Sequence, residues 1–346
     1  MADVFKMHDL LVDIKRVSEK VGKPATKQDY VVFGEYSVDT ILSVWPTFND
    51  ALKAAGQAGQ DLAKEHKAQK FKYKKSQIES FKINEIDLDD LFNKAGNPES
   101  LRVVVQPDTH VKNRDHKAVK TFLDFLWWYR PHVHICLGDF LDAEGISHWP
   151  SDSLQPKRFV PEVLEARELL KEIVLRTPDC ISRIFIMGNH EDWLRQAITQ
   201  KMPELFDGLE ELGIELNVKK ILALDEFGYD VIELNELLRV GKAYFTHGLY
   251  TGANHAKKHL DVIKGNIYYG HLHDILSTHQ PSIHGFIEAV SLGCLCRLDA
   301  PFMKGKPTNW IHAFGVFEFF KDGTYSFYLP RIFNGRLSFN GQVFGG

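Results

Sequence analysis

Residues 101–110 read LRVVVQPDTH, a short run rich in branched apolar side chains that halts at Pro107 and hands over to Asp108, Thr109 and His110. Such a run, closed by a turn, predicts a strand over Leu101–Val105. The same construction recurs four times. Val133–Leu137 runs into Gly138-Asp139-Phe140-Leu141-Asp142, and Ile184–Met187 into Gly188-Asn189-His190-Glu191. Ala243–Thr246 is followed by His247-Gly248, and Asn266–Tyr269 by Gly270-His271-Leu272-His273. Amphipathic stretches at Lys117–Trp128 and Pro161–Leu175 separate the earlier runs and predict helices. The pattern is that of an α/β domain whose functional groups sit at strand ends, where side chains escape the packed layers.

Those five strand ends each present Asp, Asn or His. Carboxylate and amide oxygens mixed with imidazole nitrogens, without thiolates, suit a pair of borderline divalent ions such as manganese, iron or zinc. Two ions about 3.5–4 Å apart need a shared carboxylate and several ligands on each side. The glycines let the backbone turn sharply and come close without a Cβ in the way. An isolated Asp-x-His or Gly-His-x-His carries little weight, because each arises by chance; five in order, each after a strand, carry much more. His8, His66, His116, His132, His134, His148, His255, His259, His279 and His284 lack such a setting and read as surface or core residues.

Composition bounds the rest. The 346 residues are 44% apolar and 25% charged, which excludes intrinsic disorder and a disulfide-stapled miniprotein. A formal charge of −4 leaves only local basic patches for contact with nucleic acid. Cys136, Cys180, Cys294 and Cys296 form no CxxC pair and stand beside apolar residues, as reduced buried thiols of a cytosolic protein do. No run of about 18 apolar residues is present, and Met1–Leu10 already carries Asp3, Lys6 and Asp9, so a membrane span or secretion is not expected. The expected location is cytoplasmic.

Before the first strand the chain changes character. Leu10, Leu11, Ile14, Val17 and Val21 follow helical spacing, stopped by Gly22 and Pro24. Thr26 with Asp29, Ser37 with Thr40, and Thr47 with Asp50 then place capping hydroxyls before three short helical runs, the last ending at Gly56. Residues 1–58 are therefore read as a small helical module, 59–98 as a linker, basic then acidic, and 99–346 as the main domain. The linker holds seven lysines between 64 and 82 against two glutamates, a local +5. That stretch reads either as a solvated helix or as an arm that contacts phosphates.

Asp-x-His, Gly-Asp-x-x-Asp, Gly-Asn-His-Glu, His-Gly and Gly-His-x-His, complete and in order, resemble the signature of the calcineurin-like metallophosphoesterases from about residue 100 to the end. The resemblance implies a two-layer β-sandwich flanked by helices. It further implies that Asp108, His110 and His273 hold one divalent ion, that Asn189, His247 and His271 hold another, and that Asp139 bridges both. A hydroxide between the two ions would attack phosphorus, with His190 as general acid and Asp142 hydrogen-bonded to His190. For Asp142 a simple turn or cap carboxylate stays open as the other reading. Manganese is the first expectation for both ions, with iron, zinc or nickel as alternatives.

Ala143 stands where the Ser/Thr protein phosphatase branch carries a phosphate-gripping arginine, which argues against a phosphoprotein substrate. Residues 188–195 (GNHEDWLR), 293–297 and 309–314 (NWIHAF) look more like phage and bacterial members. Trp310 and His312 read as pocket lining or as packing. Leu10–Gly56 is similar to the small helical repeat found beside homing endonucleases, which suggests a nucleic-acid module; a docking or dimerising bundle is the other reading. The function expected is metal-dependent phosphodiester hydrolysis with DNA as substrate and partner, and with no membrane association. The alternative is a phosphomonoesterase or cyclic-nucleotide phosphodiesterase whose N-terminal part serves assembly. A catalytically idle DNA-binding scaffold is a third reading.

Overall fold

A computed structural model describes residues 2–56, 81–143, 159–201, 217–283, 285–300, 305 and 307–346. The chain divides into two compact units, Met1–Glu79 and Ser80–Gly346.

In the first unit, helices span Ala2–Val21, Lys27–Phe33, Val38–Leu42 and Phe48–Ala54. The three expected caps are all made. Thr26 Oγ1 accepts from Asp29 N at 3.1 Å while Asp29 Oδ2 accepts from Thr26 N at 2.9 Å, a reciprocal capping box. Ser37 and Thr47 accept from Thr40 N and Asp50 N at 3.1 and 3.2 Å. The helices meet through Leu10, Ile14, Val17, Tyr30, Ile41, Phe48 and Leu52. Buried Asp13 ties them further by accepting from Tyr30 Oη, from Arg16 and from Glu35 N. The lysine-rich stretch, apart from Lys82, lies outside the described residues.

The second unit contains β1 (Ile83–Ile86), β2 (Leu101–Gln106), β3 (Val133–Cys136), β4 (Ser182–Ile186), β5 (Tyr229–Ile232), β6 (Leu237–Val240) and β7 (Ala243–Thr246). These are followed by β8 (Asn266–Tyr269), β9 (Ser277–Ser282), β10 (Gly285–Ser291), β11 (Gly315–Phe319), β12 (Tyr325–Tyr328), β13 (Arg336–Phe339) and β14 (Gln342–Gly345). One six-stranded sheet has the order β12-β11-β2-β3-β4-β5, with β2 to β5 parallel. The other has the order β1-β6-β7-β8-β10-β9, with β7, β8 and β10 parallel; β13 and β14 form a separate hairpin.

The sheets pack face to face through Val103, Val105, Ile135 and Ile186 of one and Leu238, Val240, Phe245, Tyr268 and Val290 of the other. Alternate residues of the same strands, Val104, Cys136 and Phe185, point outward into a second core with helices His116–Tyr129 and Phe159–Arg176. Strands buried on both faces read as continuous apolar runs, which is why β2, β3 and β4 stood out in the sequence. Helix His255–Ile263 covers the other sheet, laying Ala256 and Leu260 on Ile267, Tyr269 and Ala289. The expected two-layer β-sandwich flanked by helices is the fold observed.

The acidic half of the supposed linker, residues 83–98, is built into this unit. β1 pairs in parallel with β6, from Ile83 opposite Leu237 to Ile86 opposite Val240. A helix follows at Leu88–Lys94, and Leu91 and Phe92 enter the sandwich core. Three of the acidic residues, Asp87, Asp89 and Asp90, stand at the start of that helix. Asp87 caps it by accepting from Asp89 N and Asp90 N, and all three carboxylates favour the positive end of the helix dipole.

Candidate metal centre

The C-terminal ends of β2, β3, β4, β7 and β8 converge, and all seven residues expected to hold metal are brought together there. On one side His273 Nε2 lies 3.0 Å from Asp108 Oδ2 and 3.2 Å from His110 Nε2. On the other, His247 Nε2 lies 2.9 Å from Asn189 Oδ1 and 3.1 Å from His271 Nδ1. Asp139 Oδ2 stands between them, 3.3 Å from His247 Nε2 and 3.9 Å from His110 Nε2.

This arrangement is made by turns that work against ordinary backbone preference. His110, Asp139, His271 and His273 all adopt left-handed conformations, with φ of 48°, 44°, 71° and 61°. Non-glycine residues adopt that region uncommonly, at turns and helix caps and, as here, at functional sites. The flanking glycines serve close approach. A Cβ on Gly188 would lie 2.2 Å from Asp139 Oδ1, and one on Gly270 would lie 2.2 Å from Asp108 Oδ1.

The donor set fits divalent cations. His247 donates its Nδ1–H to the Leu137 carbonyl at 2.8 Å, so its Nε2 lone pair faces three further acceptor atoms. Such a partnered imidazole is the usual form of a metal-bound histidine. Burial works against charge throughout the cluster, yet His190, His247 and His110 hold Asp139 well below the usual carboxylate range. His273 and His247 likewise keep Asp108 low against burial. Conversely, against burial, Asp139 pushes His247 up to about 9, Cys296 and Asp108 push His273 up to about 9, and Asp142 raises His110. Protons on imidazole and metal cations are alternative ways of neutralising the same carboxylates.

His190 opens helix Asn189–Lys201. Its backbone N–H donates to Asp139 Oδ1 at 3.0 Å, and its Nδ1–H donates at 2.7 Å to Asp142. The acceptor is the main-chain carbonyl of Asp142, whereas the sequence reading expected the carboxylate. That carboxylate accepts instead from Asn113 Nδ2 at 2.7 Å and lies 3.4 Å from His110 Nδ1. Ala143, the next residue, is itself left-handed at φ 50°.

Two buried glutamates that the sequence reading gave no role hold these turns. Glu191 accepts from the backbone N–H groups of Asp139, Phe140, Leu141 and Gly188 at 2.9–3.0 Å, locking the β3 and β4 turns together. Its place in the Gly-Asn-His-Glu run was the available signal. Glu162 Oε1 accepts from Asp142 N and Ala143 N at 2.6 and 2.8 Å, and twenty residues of separation hid it. Cys296 Sγ lies 3.6 Å from His273 Nδ1, and all four cysteines are free. Trp310 meets the His273 ring edge-on at 4.3 Å, while His312 is buried and donates to the Cys296 carbonyl. His132, His134, His255 and His259, read as ordinary residues, are buried outside the cluster; His66, His148 and His284 lie outside the described residues.

Residues 101–312 match the profile of the calcineurin-like phosphoesterases, and residues 6–57 match the homing endonuclease associated repeat. The Gene 54 protein of Mycobacterium phage D29 is 25% identical over 260 residues, covering 70% of this chain and 98% of its own. Its counterpart in Mycobacterium phage L5 is 24% identical with the same coverage. Vacuolar Protein Sorting 29 from Cryptosporidium parvum superposes with a TM-score of 0.39 at 10% identity, over 72% of this chain and 100% of its own. Among the described residues no helix is long and apolar enough to cross a membrane. With its five strand-end motifs gathered into one centre and the family profile spanning most of the second unit, this chain belongs to the calcineurin-like phosphoesterases, whose chemistry is metal-dependent hydrolysis of phosphate esters.

Proposed function

We propose that this centre holds two divalent cations and hydrolyses phosphodiesters, with DNA as substrate. Asp108, His110 and His273 would hold one cation, Asn189, His247 and His271 the other, and Asp139 both. The observation that carries this reading is the position of Asp139 Oδ2 between the two groups, 3.3 Å from His247 Nε2 and 3.9 Å from His110 Nε2. Hard oxygens with imidazoles suit manganese first, then iron, zinc or nickel. The chemistry such a pair supplies when bound is activation of water and neutralisation of the phosphoryl oxygens. The chain's own residues do the rest. Asp142 orients His110 through its carboxylate and His190 through its carbonyl, and His190 Nε2, 3.8 Å from Asp139 Oδ2, delivers a proton to the leaving oxygen. The DNA assignment is supported by the homing endonuclease associated repeat at 6–57 and the lysines that follow it.

Asp139→Asn tests the shared carboxylate. Both sites should weaken together, with metal content falling from two ions toward one or none and activity falling by several orders of magnitude. Elemental analysis and rates equal to the parent's would refute it. The substrate assignment is tested on the manganese-loaded protein with bis-para-nitrophenyl phosphate, plasmid DNA and mononucleotides. Cleavage of the first two and not the third is expected. Rapid monoester turnover without DNA cleavage would move the assignment to a phosphomonoesterase.

A further inference from the structure

A proton donor must be aimed as well as placed, and one hydrogen bond does not aim an imidazole. The Nδ1–H bond from His190 to the Asp142 carbonyl, 2.7 Å long, and the bond to Cβ hold the ring at two points and leave its tilt about the line between them open. Trp193 lies three residues further along the same helix, so the two side chains share a face. Their rings pack against each other at a tilt, centroids 3.9 Å apart and planes 33° apart. The indole is itself packed against the core formed by the first sheet and its helices, so it offers a fixed surface. The imidazole also meets His110 edge-on, at 4.7 Å and 78°.

We propose that Trp193 is a positioning residue: its indole face sets the plane of His190, so that Nε2 points at the leaving-group oxygen. This rests on the reading of His190 as the general acid. In the step concerned, water supplies the incoming oxygen to phosphorus and releases a proton to solvent. The bond from phosphorus to the leaving oxygen breaks with its electron pair staying on that oxygen. The Nε2 proton moves onto it, and a neutral imidazole remains with Nδ1–H still on the Asp142 carbonyl. A planar ring at 193 is the requirement. An aliphatic side chain of similar bulk fills the space but leaves the imidazole's rotation open, and misdirection of about 1 Å is enough to cost on the order of 100-fold in rate.

The test uses the full-length, manganese-loaded protein and two diesters that differ in leaving group, bis-para-nitrophenyl phosphate and diphenyl phosphate. Para-nitrophenolate hardly needs a proton, and phenolate does. Trp193→Leu should lower kcat on diphenyl phosphate by about 10- to 100-fold and on the nitrophenyl ester by less than about threefold, with KM and metal content unchanged. Trp193→Phe, which keeps a flat ring, should retain most of the activity on both. Added to His190→Ala, Trp193→Leu should cause no further loss. Trp193→Met serves as the aliphatic variant if leucine is poorly tolerated at that position. Equal losses on both esters, a phenylalanine variant as poor as the leucine one, or a fall in metal content would reduce Trp193 to structural support. If His190→Ala distinguishes the esters and Trp193→Leu does not, the inference alone fails. If His190→Ala does not distinguish them, the general-acid reading fails and the inference falls with it.

Discussion

Single residues here act through where their atoms point, which spacing alone does not reveal. Asp142 stands three residues after Asp139, as its motif requires, but its carboxylate faces His110 Nδ1 at 3.4 Å while its carbonyl serves His190. Asp142→Asn should therefore weaken metal binding by roughly 10- to 100-fold, read by titration of the metal-free protein. Unchanged metal affinity with slower turnover would return the carboxylate to His190. Glu162 is a second case. Burial, reinforced by Asp142, pushes its carboxyl from 4.5 up to about 7, against the two backbone N–H groups that favour its ionised form. A raised acid favours folding while protonated, so its contribution is complete below pH 4.5 and is lost as pH rises through 7. Glu162→Gln keeps an oxygen for both N–H groups and cannot ionise. The difference in unfolding free energy between variant and parent should grow in the variant's favour between pH 4.5 and 7, by roughly 3 kcal/mol at most. A difference that stays flat across that interval would refute the argument.

At the scale of elements, the turns after the strands are tied to one another by hydrogen bonds. Gly188 shows it: no positive φ demands glycine there, but a Cβ would sit 2.2 Å from Asp139 Oδ1 and 2.3 Å from Asp139 N. Gly188→Ala should force the β3 and β4 turns apart, break the Glu191 clamp and destabilise the fold by about 3 kcal/mol or more, with loss of bound metal. A thermal melt matching the parent's would be the contrary result. The same elements show what was legible. β2, β3, β4, β7 and β8 were readable because both their faces are buried and each stops at a motif. The helical caps were readable because Thr26, Ser37 and Thr47 do local work. β1 and β9 were not: both are edge strands, and β9, STHQPS, alternates between exposed and half-buried positions with no apolar run to mark it. The centre was legible in its ligand types and hidden in its supports, because Glu162 and Cys296 reach it only through tertiary folding.

For the molecule as a whole, β1 and helix Leu88–Lys94 move the boundary of the second unit to Ser80. A chain beginning at Ser80 should keep its metals and its turnover of a small diester. A chain beginning at residue 98 should lose roughly 3 to 6 kcal/mol, since it strips Leu91 and Phe92 from the core and bares the edge of β6. If the first 79 residues hold DNA, the Ser80 chain should also bind DNA more weakly, with a flatter dependence of affinity on salt. Unchanged affinity with an altered mass in solution would assign those residues to assembly.

The left-handed conformations of His110, Asp139, His271 and His273 have a consequence for how this protein tolerates change. Each costs on the order of 1 kcal/mol relative to a residue free to adopt it, and glycine is that residue. Four such positions together oppose folding by roughly 4 kcal/mol, a sizeable part of the 5–15 kcal/mol that separates a typical domain from its unfolded chain. Heat resistance and metal binding therefore place opposite demands on these four positions.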